Sequence, residues 1–444
     1  MNPDIFKSYD IRGIYPAELN EDVAFRVGRA FVEYLHAPTV AIGRDMRPSS
    51  EPLFKAFAKG ATMQGADVVD LGLTSTDELY FAIGHFGYPA GVMITASHNP
   101  SDYNGFKLTR ENAIALSGET GVFAIRDLAM ADNFVPAAKP GTISARDPLP
   151  AFVQHCLSFI DVKEIKPLKV AVDAGNGMAG LIVPAVFKHL PVQLIPLFFE
   201  LDGTFPNHPA SPIEPANMTA LQAAVVKNGA DLGAAFDGDA DRVFITDEHG
   251  KLVGGDMATA LVAKNLLRTH PHATILYNLI CSRSVPEVIA ANGGVPVRTR
   301  VGHSHIKAIM REQNAIFGGE HSGHFYFRDN FFADSGMIAL LFVLELLSLE
   351  DKPVSELLRP IDTRVRSGEI NSKVADAPAK LVELERRFPD AQIDHLDGLT
   401  IQYPTWWANI RPSNTEPLLR LNVEADDAAT LAAKRDALLS IIRE

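Results

Sequence analysis

Three apolar runs that each end abruptly in a polar loop constrain the fold of this chain more than any other feature. The runs cover residues 91–95, 232–236 and 315–317. Short apolar runs bounded by turn-forming residues are typical of buried β-strands. In α/β proteins, functional side chains collect at the carboxyl ends of such strands. The three loops are therefore the first places to look for a functional site.

Each apolar run closes a segment with the same plan, in which a strand, a helix and a second strand precede a third strand that ends in the polar loop. The predicted strands are residues 39–42, 66–71 and 91–95, then 169–172, 192–197 and 231–236, then 274–279, 295–300 and 315–317. Helices are predicted at residues 50–64 and 285–291. This repeated order predicts three similar α/β domains whose special loops converge.

The pattern changes after about residue 366. A strand at 369–371, a helix at 379–388, two strands around a turn at 404–407, a loop at 411–417, a strand at 418–423 and a helix at 427–442 are predicted. The predicted fold class is therefore α/β, with three similar α/β domains and a smaller C-terminal α+β domain. The expected boundaries are 1–150, 151–255, 256–367 and 368–444. A chain of 444 residues, 47% of them hydrophobic, is long enough to bury several cores.

Charge and composition exclude several classes of partner. The net charge is −13, with no long basic run, so nucleic acid and acidic membrane surfaces are poor partners. Cys156 and Cys281 have no CxxC spacing, which indicates a reducing compartment and no thiolate metal site. The start of the sequence has no signal-peptide core, and the apolar run at 337–344 stops at Glu345, too short to span a bilayer. We expect a soluble cytoplasmic protein.

Three aspartates directly follow the second apolar run. Asp237, Asp239 and Asp241 alternate with small residues, and Arg242 comes next. Clustered carboxylates repel one another unless a cation holds them, so the spacing indicates a divalent metal, with Mg²⁺ favoured over Ca²⁺. An EF-hand is excluded because Arg242 stands where that loop needs glycine and a strand precedes the motif. The alternatives are a solvated acidic turn and, for Arg242, a structural ion pair rather than a phosphate contact.

The first polar loop offers a nucleophile. Ser97 lies in the sequence TASHNP, immediately after the predicted strand, and Lys107 follows at the end of NGFK. Taken alone, Ser97 has the alternative of an ordinary loop or capping serine. Arg12 lies in the sequence YDIRG that begins at Tyr9. It is a candidate for binding the phosphate that is transferred, and the alternative is that it is simply an exposed arginine in an N-terminal turn.

Histidines are the next candidates for proton transfer. His303, in the sequence GHSH that begins at Gly302, could exchange a proton near neutral pH. A lone loop histidine is usually neither catalytic nor a ligand. The remaining loop histidines are therefore expected to be ordinary ones, namely His98, His305 and His321.

Two further loops carry donors and acceptors suited to a sugar phosphate. Glu320, Ser322 and His324 stand between glycines in GGEHSGH, where a carboxylate, a hydroxyl and imidazoles could bind sugar hydroxyls. The second loop offers a compact set of hydrogen-bond donors suited to a phosphate monoester. The donors are Arg411, Ser413, Asn414 and Thr415, and Arg420 lies beyond the loop in the sequence. An ordinary polar turn is the alternative for each loop.

A glycine motif supports a different class of protein. Residues 175–180 read GNGMAG after a predicted strand, and Glu200 lies where a ribose-binding acid is expected. This arrangement is typical of a nicotinamide-dependent dehydrogenase. That alternative leaves the Ser97, triple-aspartate and Arg411 loops without a purpose, and a tight strand–helix turn explains the glycines equally well.

Taken together, TASHNP, DGDADR, GEHSGH and RPSNTEP resemble the α-D-phosphohexomutase superfamily, in an order and spacing that cover nearly the whole chain. The sugar loop is most similar to that of the phosphomannomutase/phosphoglucomutase group. The resemblance implies four domains around a central cleft, with Ser97 as the phosphoserine. It also implies Mg²⁺ held by Ser97, Asp237, Asp239 and Asp241.

The resemblance further implies a reaction. Phosphorylated Ser97 would give its phosphoryl group to a hexose phosphate, forming a hexose 1,6-bisphosphate that serves as intermediate and activator and turns end for end before returning its other phosphate. Lys107 and Arg12 would act in catalysis, with Lys107 or His303 as the base. The expected substrate-binding residues are Tyr9, Arg242, Gly302, Glu320, Ser322, His324, Arg411, Ser413, Asn414, Thr415 and Arg420.

The expected activity is that of a phosphomannomutase with possible action on glucose phosphates, and a phosphoglucomutase is the alternative. A non-catalytic sugar-phosphate sensor would not need the Ser97 and triple-aspartate loops together. The expected partners are small hexose phosphates, and the expected state is a monomer or a weak homodimer.

Overall fold

The computed structural model describes residues 1–412 and 418–444, without the side chains of His303 and Ser304. The described chain forms two compact units, each made of two stretches of sequence. Unit 1 contains Met1–Ala258 and Ser322–Ser355, and unit 2 contains Thr259–His321 and Glu356–Glu444. In the described chain, no helix combines the length and apolar character needed to cross a bilayer.

The first sheet of unit 1 has seven strands and carries the Ser97 loop. Its main order is Ile11–Ile14, Tyr103–Arg110, Ala90–Ile94, Thr39–Arg44, Asp67–Leu73 and Ile143–Ala145, with Ile114–Ala115 paired to Tyr103–Arg110. The strands from Ala90–Ile94 to Ile143–Ala145 are parallel, and the pairs made by Tyr103–Arg110 are antiparallel. Its α-helices are Glu21–Leu35, Ser50–Met63, Thr76–Phe86 and Phe123–Ala131.

The second sheet of unit 1 carries the acidic loop. Its order is Leu252–Val253, Val243–Thr246, Leu232–Phe236, Lys169–Asp173 and Gln193–Leu197. The last three strands are parallel to one another. The associated helices are Leu149–Leu157, Ala179–Phe187 and Thr219–Asn228. Helix Gly255–Thr269 follows this sheet in the chain, and its residues from Thr259 onward belong to unit 2.

Unit 1 also contains the second stretch of sequence, residues 322–355. Strands Phe325–Phe327 and Ala333–Asp334 pair antiparallel and lead into helix Gly336–Glu350. That helix is apolar on nearly every face and almost wholly buried, and it packs on helix Leu149–Leu157 and strand Val243–Thr246. The predicted absence of a membrane span at 337–344 is consistent with this buried core helix.

Unit 2 combines a parallel three-stranded layer with an antiparallel sheet. Strands Val295–Thr299, Thr274–Asn278 and Phe317–Gly319 are parallel, with helices Ser284–Ala291 and His303–Gln313. The C-terminal sheet contains Val365–Arg366, Ile370–Lys373, Gln392–Asp394, Leu399–Gln402, Trp406–Pro412 and Leu418–Ala425. Its helices are Ala377–Arg387 and Ala428–Arg443, and the short helix Val354–Leu358 precedes this sheet in the chain.

Short helical turns complete the described elements. They are Pro3–Ile5, Glu111–Ala113, Gly118–Val122, Val162–Glu164, Pro215–Met218 and Arg328–Asn330.

The fold class and the repeated strand–helix–strand–strand plan are confirmed, and the differences from prediction lie at element ends. Strand Thr39–Arg44 extends beyond the predicted residue 42 because Gly43 and Arg44 continue the ladder past a register shift. Helix Ala377–Arg387 starts earlier than the predicted residue 379, because the side chain of Asp376 accepts a hydrogen bond from the Ala379 N–H and caps it. The predicted domain boundaries stay predictions, and the two compact units do not follow them.

Candidate active site

Ser97 lies in the loop after strand Ala90–Ile94 and is buried, with 5% of its surface exposed. Its φ angle is 50°, a left-handed conformation that costs a non-glycine residue energy and is often found at functional sites. Its Oγ donates a hydrogen bond of 2.7 Å to Oδ2 of Asp237. The structure therefore brings together the predicted nucleophile and the predicted metal loop.

The acidic loop follows strand Leu232–Phe236, and its three carboxylates are buried. Ligand atoms of Asp237, Asp239 and Asp241 all lie within 4.8 Å of one another. Arg242 contacts Asp237 at 2.7 Å, so the ion pair that was the alternative for this residue is present, and Arg242 also donates to Ser97 Oγ at 3.3 Å. The loop thus presents a cluster of hard oxygen atoms beside a hydroxyl.

Lys107 balances much of this negative charge. Its Nζ lies 2.7 Å from Oδ2 of Asp239 and 2.6 Å from Oδ2 of Asp241. Burial opposes the ammonium charge, but the two carboxylates raise the pKa of Lys107 well above its ordinary value. Burial alone would raise the pKa of Asp239, but Lys107 and the Thr76 hydroxyl hold that pKa below its usual range. Burial raises the pKa of Asp237 to about 7 in spite of Arg242.

The acidic cluster fits a divalent metal ion. Oδ1 of Asp239 and Oδ1 of Asp241 are buried, and no donor among the described residues is bonded to either oxygen. Carboxylate and hydroxyl oxygens are the ligands that hard divalent cations prefer. The three aspartates could therefore hold a metal ion. A second group with atoms within the same 4.8 Å limit is formed by Asp241, His324 and Asp334.

Arg12 reaches the serine loop from strand Ile11–Ile14. Its guanidinium donates 2.6 Å and 2.5 Å hydrogen bonds to Asn99 and Asp10. Asn99 belongs to the same loop as Ser97, so Arg12 lies beside the predicted nucleophile. Tyr9 immediately precedes this region and is partly buried.

His98 lies closer to Ser97 than its expected role as an ordinary loop histidine suggested. Its Nδ1 is 3.2 Å from Ser97 Oγ. Burial, together with the charges of Arg242 and Arg12, lowers the pKa of His98 to about 2, so the imidazole is neutral near neutral pH. No sequence signal distinguished His98, because its environment depends on residues distant in sequence.

The C-terminal part of the predicted sugar loop lies beside the acidic cluster. Ser322 Oγ is 3.1 Å from Nδ1 of His324. Nε2 of His324 is 4.0 Å from Asp241 Oδ1 and 3.8 Å from Asp334 Oδ2. The backbone of His324 also forms a β-bridge with Arg242.

Unit 2 contains the other predicted binding residues. Glu320 is buried, and its Oε1 accepts hydrogen bonds from the Gly302 N–H at 3.2 Å and from Asn278 at 3.3 Å. Gly302 and Glu320 are thus brought together. The side chain of His303 lies outside the described residues, and its role as a base stays a prediction.

Arg411 and Arg420 face each other across paired strands of unit 2. Both contact Glu369, at 2.6 Å from Arg411 and 3.5 Å from Arg420. The structure therefore gathers two guanidinium groups on one carboxylate. The predicted phosphate donors Ser413, Asn414 and Thr415 lie outside the described residues.

The glycine motif at 175–180 supports the acidic loop. The Met178 N–H donates to the carbonyl of Gly238 at 2.9 Å, and a Cβ on Gly177 would lie 2.6 Å from that same oxygen. Close backbone packing against the acidic loop therefore accounts for Gly177, a contact that the predicted tight strand–helix turn did not include.

Sequence reasoning missed Thr76, which bonds the acidic loop directly. Its Oγ1 donates to Asp239 Oδ2 at 2.5 Å, and its N–H donates to the Asp239 carbonyl at 3.0 Å. Thr76 is the first residue of helix Thr76–Phe86, and Ser75 and Glu78 form a capping box at the start of this helix. That capping box is a sequence signal for the helix start, but it does not reveal what the helix faces.

Four family models match this chain, and together they cover most of it. They are described as phosphoglucomutase/phosphomannomutase alpha/beta/alpha domain I, domain II and domain III and the C-terminal domain, matching residues 3–134, 150–250, 254–363 and 369–440.

Relatives and solved structures are similar over nearly the full length. The chain is 43% identical over 450 residues to a phosphomannomutase of Escherichia coli K12, covering 99% of both chains. It is 42% identical to a Xanthomonas campestris protein named "Phosphohexose mutases", again covering 99% of both. A crystal structure of a phosphoglucomutase/phosphomannomutase family protein from Burkholderia thailandensis has a TM-score of 0.92 and 33% identity, covering 99% of this chain and 97% of that one. The chain belongs to the phosphoglucomutase/phosphomannomutase family.

Proposed function

We propose that this protein is a phosphomannomutase, an isomerase that interconverts mannose 6-phosphate and mannose 1-phosphate and also acts on glucose phosphates. The observation that carries the proposal is the 2.7 Å hydrogen bond from Ser97 Oγ to Asp237, within a buried acidic cluster. A phosphoryl-transfer nucleophile beside a metal-binding cluster is what such a reaction requires. The relatives named phosphomannomutase support the mannose assignment.

Mg²⁺ is the proposed metal, held by Asp237, Asp239 and Asp241 together with the oxygen of Ser97 or its phosphate. When bound, the ion would offset the negative charge of a transferring phosphoryl group. The proposal rests on the oxygen donor set and on the buried Oδ1 atoms of Asp239 and Asp241.

The proposed reaction has two half-steps, one phosphoryl transfer from Ser97 to the sugar and one from the sugar back to Ser97. In the first, the bond between phosphorus and Oγ of phosphorylated Ser97 breaks while phosphorus bonds to the free hydroxyl of the hexose phosphate. The proton of that hydroxyl passes to a base, and Oγ of Ser97 recovers a proton. The product is a hexose 1,6-bisphosphate, the proposed intermediate and activator. After the sugar reverses, its other phosphate returns to Ser97 by the opposite sequence.

The contacts of Lys107 favour a role in balancing charge. Its two ion pairs and raised pKa keep it protonated, so it would bind phosphoryl oxygens better than it would accept a proton. Arg12 and Arg242 would add positive charge beside Ser97. His303 remains the proposed base.

The remaining predicted residues are proposed to bind the substrate. The hydroxyls of the sugar and the adjacent atoms would be bound by Tyr9, Gly302, Glu320, Ser322 and His324. The phosphate that is not being transferred would be bound by Arg411, Ser413, Asn414, Thr415 and Arg420, since guanidinium groups and hydroxyls suit a phosphate monoester. We also propose that the protein acts in the cytoplasm as a monomer or a weak homodimer.

A coupled assay tests the function and the sugar preference together. Turnover of mannose 1-phosphate and of glucose 1-phosphate is measured with Mg²⁺ and a trace of hexose 1,6-bisphosphate. We expect activity on both, with the larger kcat/KM for mannose 1-phosphate. A larger value for glucose 1-phosphate would instead support a phosphoglucomutase, and no turnover of either would overturn the mutase proposal.

A further inference from the structure

Arg47 has a buried side chain close to Ser97, the proposed nucleophile. Arg47 has no part in the mechanism proposed above. It follows strand Thr39–Arg44, and 2% of its surface is exposed. Its guanidinium makes five hydrogen bonds. The acceptors are the Asp45 carboxylate at 3.2 Å and the carbonyl oxygens of Ser97 at 2.9 Å, Asn99 at 2.7 Å, Pro100 at 2.5 Å and Tyr103 at 3.0 Å.

The number of donors matters because arginine has five N–H groups in a fixed planar arrangement. Arg47 directs four of its bonds to backbone carbonyls of residues 97–103, which form the Ser97 loop and the first residue of the strand that follows it. A lysine at the same position has three donors on one nitrogen and cannot reach four separated carbonyls. The carbonyls are therefore bound by the shape of the guanidinium as well as by its charge.

The carbonyl of Ser97 is confined from a second side. A Cβ on Gly238, in the acidic loop, would lie 2.5 Å from the Ser97 carbonyl oxygen. Arg47 bonds that same oxygen, so the peptide after Ser97 is fixed between the guanidinium and the acidic loop. A fixed peptide at this point supports the left-handed φ of 50° at Ser97, which an L-residue otherwise avoids.

Arg47 is itself held in place. Asp45 accepts hydrogen bonds from the Arg47 backbone N–H at 3.0 Å and from Ser50 Oγ at 2.6 Å. The ring centroid of Phe205 lies 5.0 Å from the guanidinium carbon. A Cβ on Gly203 would lie 2.4 Å from the Cα of Arg47, so that backbone also packs tightly.

We propose that Arg47 is a positioning residue for phosphoryl transfer. Its hydrogen bonds hold the backbone of Ser97 in the left-handed conformation, so that Oγ of Ser97 faces the acidic cluster. This inference rests on the proposed function for its catalytic consequence. The structural half, that Arg47 orders the loop, stands separately and can be tested without any substrate.

The test compares Arg47→Lys with the parent protein by hydrogen exchange and by mutase assay. Peptides covering residues 96–104 should exchange about tenfold faster in the variant, because several hydrogen bonds to that loop are lost, while helix Glu21–Leu35 keeps its rates. In the assay, kcat should fall about 100-fold with KM nearly unchanged, the size of effect expected when a reacting group is misplaced by about 1 Å. A merely structural role would lower the melting temperature without lowering kcat of the folded protein.

Arg44→Lys is the matched control, because Arg44 lies nearby and, in the part of the chain that the structure describes, forms its ion pairs with Glu51 and Asp70 and lies over the ring of Phe54. Its exchange in 96–104 and its kcat should match the parent. Unchanged exchange in Arg47→Lys overturns the inference, and so does faster exchange with unchanged kcat. If the parent itself shows no mutase activity, the proposed function fails while the exchange result still decides whether Arg47 orders the loop.

If Arg47→Lys does not fold, Phe205→Leu replaces it, because that change removes the ring over the guanidinium and leaves Arg47 in place. Faster exchange in residues 96–104 with a fall in kcat of about threefold supports the inference. Parent-like exchange and kcat in this variant overturn it.

Discussion

Lys107 supplies the charge that allows neighbouring carboxylates to be buried together. Its ammonium lies 2.7 Å and 2.6 Å from Asp239 and Asp241, and Arg242 plays the corresponding part for Asp237. A buried carboxylate that loses its partner is strongly destabilising. A divalent ion would compete with Lys107 for two of these carboxylates, so metal binding would free its ammonium to meet a phosphate.

Lys107→Met should expose this competition. Without metal, the variant should be less stable than the parent by about 3 kcal/mol, because two buried carboxylates lose their cation. Mg²⁺ should then stabilise the variant more than it stabilises the parent. Urea unfolding in EDTA and in Mg²⁺ measures both effects.

Lys55→Met is the control for Lys107→Met, since Lys55 is 70% exposed and, among the described residues, its ion pair is with Glu51 on its own helix. Its unfolding should match the parent within error in both buffers. Parent-like stability of Lys107→Met in EDTA would contradict the assigned role.

Ser97→Ala tests the proposed nucleophile directly. We expect mutase turnover to fall by at least about 1,000-fold, because both half-steps of the proposed reaction pass through Oγ of Ser97. Circular dichroism should show a folded protein, and mass spectrometry should show no phosphorylation by hexose 1,6-bisphosphate. Ser101→Ala, in an exposed part of the same loop, should keep parent activity. Substantial turnover by Ser97→Ala would refute the assignment.

The helix Thr76–Phe86 connects three parts of unit 1 through its first turn. Thr76 bonds the acidic loop, and Asp77 accepts a 2.6 Å hydrogen bond from Ser335 in the second stretch of unit 1. Burial raises the pKa of Asp77 to about 7, although the Ser335 hydroxyl bonds its carboxylate. The positive end of a helix dipole also favours nearby negative charge. The helix therefore contributes to the acidic site by position as well as by side chains.

Thr76→Val keeps the shape of the side chain and removes the hydroxyl that bonds Asp239. We expect metal affinity to fall about tenfold, the lower end of what is typical when a partner of a ligand is lost. Titration of Mg²⁺ by activity and by thermal shift measures this change. Thr62→Val, which loses a hydrogen bond to the Lys59 carbonyl on its own helix, should behave like the parent. An identical Mg²⁺ titration for Thr76→Val would count against the metal site.

The sequence predicted the elements that present the site better than the contacts within it. The apolar strands before Ser97 and Asp237 were recognisable because burial on both sides leaves a continuous apolar run. The bond between Thr76 and Asp239 joins residues 163 positions apart, and the Arg47 bond to Ser97 spans 50. Such hydrogen-bonded pairs form only when separate elements pack against each other, and a local sequence pattern does not predict that packing.

At the scale of the whole molecule, the fold class and the four-part family membership agree with the sequence prediction. The grouping into compact units could not be predicted in the same way. Helix Gly336–Glu350 is apolar on nearly all faces, which predicts burial but does not indicate against which partner. In the structure this helix belongs to unit 1, together with residues far earlier in the chain.

All proposed metal ligands belong to unit 1, and this predicts where Mg²⁺ acts. Hydrogen exchange with Mg²⁺ should slow in peptides around Ser97 and residues 237–241, because an ion that binds only the folded site stabilises it. Peptides around Glu369 and Arg411 should keep their rates. The same comparison with Ca²⁺ tests selectivity, and protection centred on residues 369–411 would contradict the assignment.

The division of unit 1 into two stretches also affects how the chain folds during synthesis. Residues 259–321 emerge from the ribosome before the helix Gly336–Glu350 that covers helix Leu149–Leu157 and strand Val243–Thr246. A nascent chain that ends at residue 258 therefore lacks the helix that packs on this surface. The apolar side chains of the surface are then exposed, so they can bind chaperones or aggregate. Ser335 and Asp334 belong to the same second stretch, so the surroundings of the acidic cluster are completed only after residues 259–321 have been synthesised.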